Sequence, residues 1–295
     1  MSVLSFENLT ILEYESIASS VGSALHGLYI GVAALSLWLL LSGGNNSSIG
    51  NRFLLIVIFI MLFFDMINTA SSIYFIAHDI RTFGGHINPI LTRIVILVDM
   101  VVVKLNYFLS DLVIVWRAWS IFDRKPIYVQ LLLAACLCAS LGAAVADMTI
   151  SVELTMNLRT KFTLVYPKSR AILPSVLLLT NTVATALIAF RTWKFYRTLK
   201  YTGFQDTSSI KCAIHMLLFM VESGFLYSVL WIIVILDMMV QLSPEVSYFL
   251  SLIIPHLTGI YPCLMVILIV FEKQKYDSMT GTAWSTSPDM STSTV

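Results

Sequence analysis

The chain has 295 residues, 58% of them hydrophobic and 12% charged, with a formal net charge of +1 and a mean hydropathy of +0.85. A soluble domain carries roughly 25% charged residues, so a water-soluble globular fold is excluded. The near-neutral charge offers no footing for a nucleic-acid partner.

A hydrocarbon core ~30 Å thick takes about 20 apolar residues per helix. Seven such runs follow one another at 21–41, 53–77, 94–116, 128–148, 171–190, 213–239 and 246–271. The expected fold is an all-α membrane protein of seven transmembrane helices. Residues 1–19 then form an extracellular segment and 20–271 the transmembrane domain. Residues 272–295 form a cytoplasmic, Ser/Thr-rich disordered tail. The first nineteen residues hold three glutamates and no lysine or arginine, the reverse of a signal peptide's basic start, so helix one is expected to act as its own insertion signal.

Basic residues gather on the cytoplasmic side. With the N-terminus outside and the C-terminus in the cytosol, the inner segments hold eleven of them, among them Arg52, Arg117, Arg191 and Lys211. The outer segments hold six, four of which lie between helices four and five. Helices three and five also end alike, in Trp116-Arg117-Ala118-Trp119 and Phe190-Arg191-Thr192-Trp193, and both residue types suit the headgroup layer. The sequon at Asn8 falls on the same outer side and is the glycosylation candidate.

Helix one carries small residues at Ser19, Ser23, Gly27 and Gly31, and helix four at Ala135, Ala139, Gly142, Ala143 and Ala144. Both read as close-packing faces. After helix four, apolar Ile150, Val152, Leu154, Met156 and Leu158 alternate with polar residues, and Phe162, Leu164 and Tyr166 resume the alternation. Period two suggests a short β-hairpin over the outer mouth; an irregular loop dipping apolar side chains into the interface fits equally. All four cysteines, Cys136, Cys138, Cys212 and Cys263, fall in or beside helices, which leaves no loop disulfide.

Ionisable groups inside a membrane cost about 2.5–3.5 kcal/mol each at mid-helix and default to function. Asp65 lies thirteen residues beyond Arg52 and Lys104 thirteen before Arg117, so both stand ~20 Å from the inner boundary. This level predicts a buried Asp65–Lys104 cluster with Glu222 as third member, acting as a structural pair, a ligand counter-ion or a switch. Asp99, nearer the outer end, either faces an incoming ligand or is solvated at the helix end. Asp111 is expected to reach a basic group such as Arg191 near the inner surface, and Arg117 to stand at the cytoplasmic mouth.

In helix seven, Pro255 frees the carbonyl of Ser251 and Pro262 that of Thr258, with Gly259 between them, predicting a kink. His256 sits beside it, level with His26. A metal site there needs a third ligand, for which Asp65 is only roughly placed, so a hydrogen-bonded histidine is the simpler expectation. No metal, cofactor or enzymatic activity is expected.

Seven helices, an outer N-terminus and the arginine closing helix three distantly resemble a G-protein-coupled receptor. Trp116 stands where the rhodopsin-like class has an acid, however, and helix seven lacks both Asn-Pro-x-x-Tyr and a lysine for retinal. "NYFLSDLVIVWRAW" and "HLTGIYPCLMVILIV" more closely resemble segments of uncharacterised seven-helix proteins of basidiomycete fungi. That resemblance implies the fold and carries no activity. The expected function is a receptor-like protein of the plasma membrane. An extracellular ligand would bind near Asp99, Lys104 and His256, and a cytoplasmic G protein would couple near Arg117. The alternative is a secondary transporter or channel. A zinc-dependent intramembrane hydrolase, which needs three ligands and an open position, ranks third.

Overall fold

The computed structural model describes residues 6–42, 49–82, 89–122, 127–157, 168–202, 208–240 and 243–285. They form seven helices: α1 (Phe6–Ser42), α2 (Ile49–Thr82), α3 (Pro89–Ile121), α4 (Ile127–Asn157), α5 (Ile172–Thr202), α6 (Ser208–Val240) and α7 (Pro244–Ser285). A 3₁₀ turn, Lys168–Ala171, precedes α5. Helices are the natural solution here, because in lipid each backbone polar group must be satisfied within its own segment. Each helix exceeds the length a bilayer needs; α3, at 33 residues, spans roughly 50 Å.

The side chains are distributed as lipid demands. Large apolar groups point outward, with Trp38 62%, Leu131 64% and Phe225 67% exposed, while Asp65, Asn106, Ser110, Asp111, Asp147, Asn181 and His256 are buried. This inversion of a soluble protein is the pattern of a multi-pass membrane bundle. Six helices, α1, α2 and α4 to α7, are long and apolar enough to cross a membrane. On α3, the charges of Asp99, Lys104 and Asp111 interrupt the apolar run. Yet α3 packs against α2, α4, α5 and α7, so it is the central helix and carries the polar interior.

Two cores meet on it. One gathers Tyr107, Ile114, Leu133, Leu177, Tyr227 and Trp231 from α3 to α6. The other gathers Tyr29, Ile58, Met61, Val113 and Cys263 from α1, α2, α3 and α7. The closest approach in the second core is α1 on α7. Tyr29 is fully buried against Gly259, where an added Cβ would lie 2.6 Å from the ring.

Several expectations need correction. Residues 150–157 are helical, a continuation of α4, so the first arm of the expected hairpin is not a strand; its second arm lies outside the described residues. No strand occurs among the described residues. A buried stripe of Ser140, Ala144, Asp147 and Ser151 explains the difference: at helical spacing these residues all face the bundle. The predicted small-residue faces divide: Ala143 and Ala144 on α4 are buried in the first core and Ser19 and Ser23 on α1 border a small cavity against α7, while Gly27 and Gly31 on α1 and Ala135, Ala139 and Gly142 on α4 are exposed. Helix also begins at Phe6, which includes Asn8, and runs to Ser285, inside the stretch expected to be a disordered tail. Cys136, Cys138 and Cys263 are free thiols.

Candidate functional site

The polar groups of the interior sort into four nodes, each joining side chains of different helices. In the first, between α1, α2 and α7, the Asp65 carboxylate is held by two imidazoles. His26 Nδ1 lies 2.6 Å from Oδ2 and His256 Nδ1 2.7 Å from Oδ1. The rings are tilted by 55° with centroids 5.9 Å apart. Beside His256 lies a small cavity of ≈ 10 Å³, lined by Ser19, Gly22, Ser23, Thr69, Ser72 and Leu252.

The second node lies between α3, α4 and the turn before α5. Lys104 Nζ sits 2.7 Å from Asp147 Oδ2, and Arg170 Nε 3.6 Å from Oδ1. The expected Asp65–Lys104 pair is therefore incorrect. The two groups share a depth, but Asp65 faces α1 and α7 while Lys104 faces α4. Glu222, expected beside them, is exposed on the outer surface of α6, near Phe225 and Leu226. Asp99 is no solvated helix end, since its Oδ1 is buried without a hydrogen-bond partner. Asp147 was not among the residues singled out from the sequence; its seven-residue spacing from Ser140 was the available signal.

In the third node, between α3, α4 and α5, Asp111 accepts a hydrogen bond from Ser140, whose hydroxyl also lies 3.1 Å from Thr180 Oγ1. Asp111 does not reach Arg191, contrary to expectation, because it turns towards α4; Arg191 instead stacks 5.9 Å over the Phe122 ring.

The fourth node joins α3 to α7, and it shows what the prolines do. Ser110 donates to the carbonyl of Thr258 at 3.2 Å, the very acceptor that Pro262 leaves free. Asn106 donates to the Pro255 carbonyl at 3.3 Å, as does the Thr258 hydroxyl at 2.8 Å. The helix runs on through both prolines, and at Pro262 a neighbouring helix supplies the bond that the proline removed. Ser110→Ala should therefore cost about 1 kcal/mol, the net worth of one buried hydrogen bond, read as a lower unfolding midpoint in mixed micelles.

From Ser110 a chain of rings runs to the tail end of the bundle. The Ser110 hydroxyl lies 3.0 Å from that of Tyr227, and Tyr227 stacks on Tyr261 at 4.5 Å. Arg117 donates through Nη1 to the Tyr261 hydroxyl at 2.9 Å. In the other direction Tyr227 meets Trp231 edge-on, Trp231 meets Tyr107, and Lys104 Nζ lies 5.8 Å over the Tyr107 ring. Arg117 is not at an open mouth. It is 4% exposed, and its Nε and Nη2 are buried without a hydrogen-bond partner. At the same end a groove of ≈ 740 Å³ opens between α2, α3 and α4, walled by Phe53, Trp116, Trp119 and Phe122.

No known protein family, no curated protein and no solved structure matches this chain. The reading of function therefore rests on these nodes.

Proposed function

We propose that the protein is a seven-helix receptor-like membrane protein of the basidiomycete kind its helix-three and helix-seven segments resemble. In this reading the N-terminus is extracellular and the tail cytoplasmic, at the plasma membrane. A ligand at the N-terminal end acts on the Lys104–Asp147–Arg170 cluster, and a cytoplasmic partner such as a G protein engages the tail end.

The supporting observation is Arg117. A buried guanidinium with one hydrogen bond, to Tyr261, and two buried unpartnered donors is held weakly for its cost. It sits at the end of a continuous ring pathway from Lys104. A contact network becomes a signal only if it has two arrangements. The Arg117–Tyr261 bond is the element that would differ between them, and its release would offer the spare donors to a partner. The transporter or channel alternative draws on the buried charges.

Tyr261→Phe removes the acceptor and keeps the ring. A hydrogen bond to a charged group is worth about 1.5–3 kcal/mol, so the latch equilibrium should shift roughly tenfold or more. Spin labels at Ser120 and His215, exposed at the tail ends of α3 and α6, should then report a second, longer distance by double electron–electron resonance. An unchanged distribution rejects the latch. A reciprocal shortening between labels at Ile94 and Met239, at the other end, sides with transport. Glycosylation tags at each terminus test the orientation, and only the N-terminal tag should be modified.

A further inference from the structure

We propose that His26, Asp65 and His256 form a binding site for a single divalent transition-metal ion of the zinc class, tying α1, α2 and α7 together. The proposal is independent of the receptor reading. The three residues come from three helices, and one ligand atom of each lies within 4.8 Å of the others. Two imidazoles and a carboxylate are the donors zinc prefers, and three protein ligands with one open position is the usual arrangement of a reactive zinc. Calcium and magnesium ask for more oxygens than these residues supply.

Charge supports the same conclusion. Asp65 is 1% exposed, and among the described residues its carboxylate is paired with the two histidines; the nearby Lys104 is committed to Asp147. With neutral rings the cluster carries an uncompensated negative charge in a low-dielectric interior, where burial is costly without a cation. A divalent ion supplies the cation and takes the place between each Nδ1 and the carboxylate, each neutral ring keeping its single proton by carrying it on Nε2. Four-coordinate zinc, with bonds of about 2.0–2.2 Å, keeps its donors roughly 3.3–3.5 Å apart. The present separations of 2.6 and 2.7 Å, each to a different carboxylate oxygen, have to open, and the two imidazoles, with ligand atoms within 4.8 Å, have to turn onto the same ion. The ≈ 10 Å³ cavity beside His256 has room for about one water, which would accept the proton that this ring carries on Nε2 while Nδ1 binds the ion. The Ser19, Ser23, Thr69 and Ser72 hydroxyls make that cavity polar. Its lining at Gly22 faces His256 Nε2, which a Cβ there would approach to 3.8 Å.

The test uses the full chain in lipid nanodiscs, stripped with a chelator, loaded with Co²⁺ or Zn²⁺ and dialysed. The expected result is a single ion retained per chain, a four-coordinate Co²⁺ ligand-field spectrum displaced by Zn²⁺, and a thermal midpoint raised by Zn²⁺ and unmoved by Mg²⁺, as binding to the folded state alone requires. His26→Asn and His256→Asn should each weaken retention tenfold or more, while His215→Asn, at an exposed histidine of α6, leaves it unchanged. A ligand variant that misfolds does not shield the proposal, because the wild-type measurements stand alone. Folded wild-type protein that keeps no ion and shows neither spectrum nor shift overturns the site and leaves the cluster held by protons only. Retention that survives both histidine substitutions overturns it as well.

Discussion

Asp147→Ala is expected to destabilise the bundle by about 3–5 kcal/mol, the cost of leaving buried charge without its partner. The substitution strands both Lys104, 2.7 Å away, and Arg170, whose side chains are 13% and 16% exposed. Reversible unfolding in mixed micelles would measure it. Lys104→Met alone should cost a similar amount, because Asp147 is 3% exposed. The double variant Lys104→Met/Asp147→Leu should recover the part of the loss that belongs to Lys104, since an apolar pair of similar volume often replaces a buried ion pair at little cost, while Arg170 still lacks its carboxylate. The cycle therefore has a large coupling energy. The same cycle between Lys104 and Asp65 should be additive to within about 0.5 kcal/mol, as for residues that share no partner. If instead Lys104 couples to Asp65 and not to Asp147, the interior is paired differently and the outer half of the receptor proposal goes with it.

Gly259→Val should cost about 3 kcal/mol, at the upper end for overpacking. The first added carbon alone would lie 2.6, 2.8 and 2.9 Å from Tyr29 Cζ, Cε1 and Oη, and a fully buried ring has nowhere to retreat. Tyr29→Ala in the same chain should restore part of the loss by vacating that space. A rescue of this kind separates steric overlap from any effect of glycine on helix propensity. Because Gly259 lies three residues beyond His256, a Gly259→Val protein that still folds should also hold α1 away from α7. If Gly259→Val is as stable as the parent, α1 does not pack on α7 in this register, and the His26–Asp65–His256 cluster loses its geometric support.

The contrast between these two predictions shows what could be read along the chain. Gly259 stood out as a glycine between two prolines, and its position in α7 followed from the apolar run alone. What it accommodates, a tyrosine 230 residues earlier, carries no local mark. Asp147 failed differently. It lies one residue from the end of the apolar run at 128–148, and the extension of α4 to Asn157 puts it well inside the helix. The period-two reading of 150–158 hid that extension, because alternation over so few residues coincides by chance with a helix whose buried face is Asp147 and Ser151.

Depth, by contrast, was legible. A helix rises ~1.5 Å per residue whatever surrounds it, so counting from the basic ends put Asp65, Lys104 and Glu222 at comparable heights and His26 level with His256. Counting cannot supply the angle about the helix axis. That angle sends Asp65 to two histidines, Lys104 to Asp147, Glu222 out to the lipid and Arg117 in to Tyr261. The sequence by itself determined that the chain is a bundle of long apolar helices with a polar interior, because the hydrocarbon solvent permits little else for such a composition. The tertiary structure alone decided which polar groups meet. Helix rotation is set by the fit of side chains between neighbouring helices, summed over contacts that no single segment contains.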